Sequence, residues 1–319
     1  MKTIYLKAMV TAIMAIATTI SFADTMHSTA AGGNWHEPGT WQEGTVPDAD
    51  DDVFITGPGE VLVYNTGHEC NNLTIEAGAL LRNRNAAHRT LNVLGNVENN
   101  GTITNAGSWD FTIRIEGDIE NYGFWDAYST RLTGYGNHNL SCGATNSFAG
   151  YYFIAEDTTG NLTALTDVTF HNCKLELNGK TVELSTAKGS ELRLIKDQVS
   201  GVYLEDAVIV GNNNVVYLEN GAYLNDVEIS DAVLEGKVLV RGNSVFYGNM
   251  INQDTLANPG NVSSKLLVYG DLTNNGLITQ SAYSFNIYSF GDIVNNGAWE
   301  NNSLCFAGST TQNVSCLND

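Results

Sequence analysis

One heptad occurs four times in this chain, and its spacing restricts the fold more than any other feature. Gly95-Asn96-Val97-Glu98-Asn99-Asn100-Gly101 returns as Gly117-Asp118-Ile119-Glu120-Asn121-Tyr122-Gly123, then as Gly270-Asp271-Leu272-Thr273-Asn274-Asn275-Gly276 and Gly291-Asp292-Ile293-Val294-Asn295-Asn296-Gly297. Neighbouring copies start 22 and 21 residues apart. The likeness outruns the heptad: Trp125 matches Trp299, and Asn139-Leu140-Ser141-Cys142 matches Asn313-Val314-Ser315-Cys316. Residues 91–142 and 266–316 are therefore two copies of one module. A fixed period of this length marks a solenoid, in which each repeat buries its apolar side only against the repeats above and below it.

A looser repeat lies between the modules, in Leu165-Thr166-Asp167-Val168, Leu204-Glu205-Asp206-Ala207 and Leu224-Asn225-Asp226-Val227, with starts 39 and 20 residues apart. These spacings read as two circuits and then one of nearly the same length. Short runs such as Val182-Glu183-Leu184 and Leu192-Arg193-Leu194 have strand character. Asn-Gly, Asn-Asn-Gly and Gly-Asn supply turns, because Gly and Asn enter the left-handed region more readily than other residues. Long helical patterns are missing. The expected fold class is all-β, a parallel β-helix with coils of about 20–22 residues. Asn99, Asn121, Asn274 and Asn295 share one phase and are expected to form amide ladders at a turn. An antiparallel sandwich also uses short strands, but it gives no reason for the same residues to recur at the same phase.

Composition then narrows the partners. The 319 residues carry 35 Asp+Glu against 15 Lys+Arg, a formal net charge of −20, which disfavours nucleic acid and anionic membrane surfaces. Lys2 and Lys7 precede an uncharged, mostly apolar run from Ala8 to Phe22, and the small residues Ser21 and Ala23 suit cleavage before Asp24. Residues 1–23 are expected to be a secretory signal peptide, with no membrane span after its removal and a secreted or outer-surface destination. An oxidising compartment permits disulfides among Cys70, Cys142, Cys173, Cys305 and Cys316, and Cys305 with Cys316 is the closest pair in sequence. No Cys or His spacing suggests zinc.

After the leader comes Gly33-Asn34-Trp35, Pro38, Thr40-Trp41, Gly44, Val46-Pro47 and Asp50-Asp51-Asp52-Val53-Phe54-Ile55. This string resembles the opening of secreted, adhesin-like β-helix proteins of Bacteroidetes-type bacteria. Those proteins pair it with G-[ND]-aliphatic-x-N-x-G repeats like the ones above. The resemblance implies a right-handed solenoid, in line with the general preference of parallel crossovers. Residues 24–52 would be its N-terminal segment and cap, and residues 53–319 its coils. It also implies a non-catalytic structural or adhesin-like surface protein, with polysaccharide or surface proteins as partners. Many such proteins carry a C-terminal sorting domain with no counterpart before Asp319, which leaves the attachment route open.

The same fold carries pectate lyases and polygalacturonases, so a polysaccharide lyase or glycoside hydrolase is the alternative function. The hydrolase pattern resembles N-x-D, an Asp pair, G-H-G and R-x-K; the only consecutive Asp run is Asp50-Asp51-Asp52, G-H-G and R-x-K are missing, and no catalytic residue is assigned. Asp48, Asp50, Asp51 and Asp52 are weak candidates for a structural Ca²⁺, with a solvated turn as the plainer reading. No other cofactor is expected. Trp35 and Trp41 are weak candidates for stacking on sugar rings, and more simply a cap over the open end of the coil stack.

Overall fold

The computed structural model of the protein describes residues 23–84, 87–156, 158–185, 191–196, 202–219, 222–301 and 303–317. The proposed leader lies outside the described residues, apart from Ala23. The chain is an all-β parallel solenoid with 56% of its residues in strands. Its one helical turn among the described residues is a 3-10 turn at Pro38–Thr40.

Each circuit lays down three strands, and every strand pairs in parallel with strands of the adjacent circuits. Three faces result. Face I begins with Thr25–His27, Asp52–Ile55, Leu73–Ile75 and Val97–Asn99. Face II begins with Gly33–Asn34, Glu60–Val63, Leu80–Asn83 and Thr102–Thr104. Face III begins with His68–Cys70, Arg89–Val93, Phe111–Ile115 and Ser129–Leu132. Alternation explains the packing: in Phe111–Ile115 the odd positions are buried and Thr112 and Arg114 point outward. Inward residues meet their own kind along the axis, as in Val93, Ile115 and Leu132, and each buried aliphatic contributes about 1.5–3 kcal/mol. An aromatic block of Trp125, Phe148, Phe153 and Phe170 fills the middle of the core, with ring centroids 4.9–5.7 Å apart.

The expected amide ladders are present. Asn99 Nδ2 donates to Asn121 Oδ1 at 2.8 Å; Asn252 Nδ2 donates to Asn274 Oδ1, and Asn274 Nδ2 to Asn295 Oδ1, each at 2.7 Å. Asn252 belongs to a fifth, degenerate copy of the heptad, Gly248-Asn249-Met250-Ile251-Asn252. The closing Gly of the heptad is fixed by packing between coils: a Cβ on Gly123 would run into the Gly101 carbonyl oxygen, and one on Gly297 into that of Gly276.

Three features differ from expectation. The two sequence modules do not occupy equivalent positions. In the first, the Gly-[Asn/Asp] corner turns from face III to face I, so Asn99 and Asn121 stand on face I. In the second it turns from face I to face II, and Asn274 and Asn295 continue the face II ladder. The chain between them completes whole circuits plus one face. Second, the three copies of the looser repeat are not equivalent: Leu204 and Leu224 are buried on face III, whereas Leu165 is 50% exposed at a corner. Third, the stack starts at Thr25 rather than Val53, since Thr25–His27 already pairs with Asp52–Ile55.

The middle coils show how a face can be gained. Strands Lys174–Leu184, Tyr203–Leu218 and Tyr223–Arg241 run unbroken around corners. Single residues in the left-handed region make the bends: Asn178, Asp206 and Asp226 (φ 49°, 48° and 51°) between faces III and I, and Asp231 (φ 48°) between faces I and II. Asn and Asp tolerate this region because their short polar side chains bond locally.

Candidate functional site

Among the described residues, the void between Leu162, Phe170, Leu175 and neighbouring apolar side chains has a volume of about 10 Å³, too small for more than a single water.

Most of the residues singled out from sequence are held by local packing or hydrogen bonds. Trp35 and Trp41 are 0% and 2% exposed, pack edge to face at 5.1 Å, and the Trp41 indole N–H donates to the Trp35 carbonyl at 2.8 Å. Neither ring offers a face to a sugar; the pair plugs the first coil, because an open coil end exposes core. Asp51 is nearly buried and accepts from the backbone N–H of Asp24 and Asp48, while Asp48 accepts from Asp50 N. Asp52 accepts from the side chains of Asn71 and Asn72. These carboxylates serve a turn, and among the described residues no three His, Cys, Asp or Glu groups gather as a metal site. Cys305 and Cys316 are exposed free thiols on neighbouring faces, in strands Leu304–Phe306 and Val314–Cys316, so the pairing suggested by their closeness in sequence is not formed. Cys70, Cys142 and Cys173 are buried; burial pushes the Cys142 thiol up to about 11 and the other two higher still, which makes them inert core residues.

The chemistry that the sequence reading missed lies on face III. Three of the clefts on the described surface open there, with volumes of about 340, 420 and 530 Å³. Strand pairing builds two rows along it, one residue per coil. The first runs Glu69, Asn92, Arg114, Arg131 and, beyond the apolar Ile154, Glu176, Glu205 and Asn225. The second runs Tyr152, Lys174, Tyr203 and Tyr223, and Arg241 continues it.

Within these rows the side chains hold one another. Tyr128 and Tyr151 stack at 5.3 Å, and the Lys174 ammonium lies 3.9 Å above the Tyr151 ring. Burial works against the charged Lys174, but the hydrogen bond to the Tyr151 hydroxyl and the nearby Glu176 outweigh it and raise its pKa. Tyr203 and Tyr223 stack at 5.4 Å. Burial first, then the Glu176 and Glu205 carboxylates, push the Tyr203 hydroxyl well above its usual range, and it donates to Glu176 at 3.2 Å. Farther up, Arg114 and Arg131 both reach Glu156, at 2.9 and 3.4 Å, beside the 340 Å³ cleft and the 88%-exposed Tyr135.

A trace of this face was present in the sequence: Tyr203-Leu204-Glu205-Asp206 and Tyr223-Leu224-Asn225-Asp226 share Tyr-Leu-x-Asp 20 residues apart. The chain matches no family model, no curated protein and no solved structure.

Proposed function

We propose that the protein is a secreted, non-catalytic surface scaffold of the adhesin-like kind, which contacts polysaccharide or neighbouring surface proteins along face III. The observation that carries this reading is the arrangement of that face. Its polar side chains form rows that repeat coil by coil and satisfy one another, whereas acid–base catalysis needs an acid and a base converging on one point. A rigid row of similar contacts suits many weak interactions with a repetitive partner. The leader-like residues 1–23 and the acidic composition support an extracellular role.

A second reading, a polysaccharide lyase or hydrolase, is favoured at one spot, where Arg114, Arg131 and Glu156 converge beside Tyr135. Incubating the purified protein with pectin, alginate and neutral polymers separates the two. The scaffold reading expects retention on at least one polymer with unchanged polymer length and no absorbance from new double bonds. Shortening of a polymer that is lost in Arg114→Ala would establish the enzyme instead.

A further inference from the structure

The two larger clefts of face III share Glu205 and Asp226 and form one groove across successive coils. Three parallel rows line it. Tyr203, Tyr223 and Arg241 form one wall, Glu176, Glu205 and Asn225 the floor, and Asn178, Asp206 and Asp226 the opposite corner. The groove thus sets four carboxylates against the single Arg241 guanidinium, which lies over the Tyr223 ring at 5.7 Å. Tyr rings in this row already take cations on their faces, as Lys174 over Tyr152 and Arg241 over Tyr223 show.

We propose that this groove binds an extended polysaccharide of amino sugars, laid along the solenoid axis with its ammonium groups facing the carboxylate rows; the assignment rests on face III being the contact face. Charge excludes the acidic glycans, since uronate carboxylates would meet like charge in a partly desolvated cleft. Spacing selects among cations. Strands in adjacent coils lie ~4.8 Å apart, about the length of one pyranose unit in an extended chain; such a chain turns its ammonium groups to one side at every second sugar, so they meet every second coil, the separation between the levels of Glu176 and Asp226. A basic peptide in extended form rises ~3.3 Å per residue and shows one side every second residue, which falls out of step with the coils. The tyrosine hydroxyls and the Asn225 amide supply neutral partners for sugar hydroxyls.

The test is calorimetric titration of the purified protein with glucosamine oligomers, their N-acetylated counterparts, galacturonate oligomers of equal length, and spermine as a flexible cation without a sugar. The glucosamine oligomer should bind, weaken with added salt, and exceed each of the other three in affinity by about tenfold or more. The variant combining Glu205→Gln, Asp206→Asn and Asp226→Asn should lose about tenfold or more of that affinity. Asn keeps both the left-handed tolerance and the acceptor oxygen that Asp226 offers to Asn243 N, so circular dichroism should be unchanged. Tyr223→Phe removes a hydroxyl but no ring and should cost less than the triple change. Equal binding of spermine or galacturonate, or a triple variant that is folded and undiminished, overturns the assignment. If glucosamine oligomers fail while other polymers are retained without being cut, the ligand assignment falls and the scaffold reading stands.

Discussion

At the scale of single residues, the buried amides explain why Asn recurs where an aliphatic side chain would seem cheaper. Asn121 is fully buried; its Oδ1 accepts from Asn99 and its Nδ2 donates to the Ser147 carbonyl at 3.0 Å. Asn121→Ala would strand partners on both sides and should lower unfolding free energy by about 1–3 kcal/mol. Asn100→Ala, at an exposed site bonded to Glu98, should stay within about 0.5 kcal/mol. Denaturant titration of the two variants makes the comparison. The cap offers a pH test. His68 is half-buried, 6.0 Å from Trp35 and stacked 6.2 Å from His36; burial and then the His36 charge hold its pKa below the ordinary 6.5. A lowered folded-state pKa stabilises the fold above 6.5, and that contribution is lost as pH falls through the folded value. Between about pH 7.5 and about pH 5, wild-type Tm should therefore fall relative to His68→Gln; parallel pH profiles would refute the assignment. The Asn ladders were legible in the sequence because identical residues at identical phase stack. The Trp pair was legible only as two alternatives, because a sequence does not say which side of an end turn an indole takes.

At the scale of the coil, the period predicted parallel stacking, and the pairing follows it through 22-, 20- and 17-residue circuits, such as Val97 to Ile119, Leu204 to Leu224 and Glu228 to Val245. What the period could not give is the corner at which a repeat begins. Residue spacing counts length per circuit, and a corner made by one left-handed Asp uses fewer residues than a Gly-Asn turn. The modules are consequently offset by one face, and Leu165 imitates Leu204 without its burial. The same logic yields a test. Removing residues 204–223 takes out one circuit and brings Leu224 to the position of Leu204, in the register that the two already share. Each coil contacts only its neighbours, so the shortened chain should keep its β-type circular dichroism and lose one coil spacing of ~4.8 Å in X-ray scattering. Collapse to an unfolded spectrum would show that the middle coils cannot be exchanged in this way. The deletion also removes Glu205 and Tyr223 and should weaken binding at the groove while leaving the Arg114 cleft in place.

At the scale of the molecule, the core among the described residues is filled and the first coil plugged, and face III concentrates stacked tyrosines, paired charges and three clefts. Its chemistry escaped sequence reading because it is assembled across coils: Tyr151 meets Lys174, and Arg114 meets Glu156 over 42 residues of chain. Hydroxyl-radical footprinting of the protein bound to a retained polysaccharide tests the central claim most directly. Tyr135, Tyr203 and Tyr223 should lose reactivity, while Tyr247 and Tyr269, exposed and stacked at the corner between faces I and II, should keep theirs. Protection of Tyr247 and Tyr269 with face III left reactive would contradict the account.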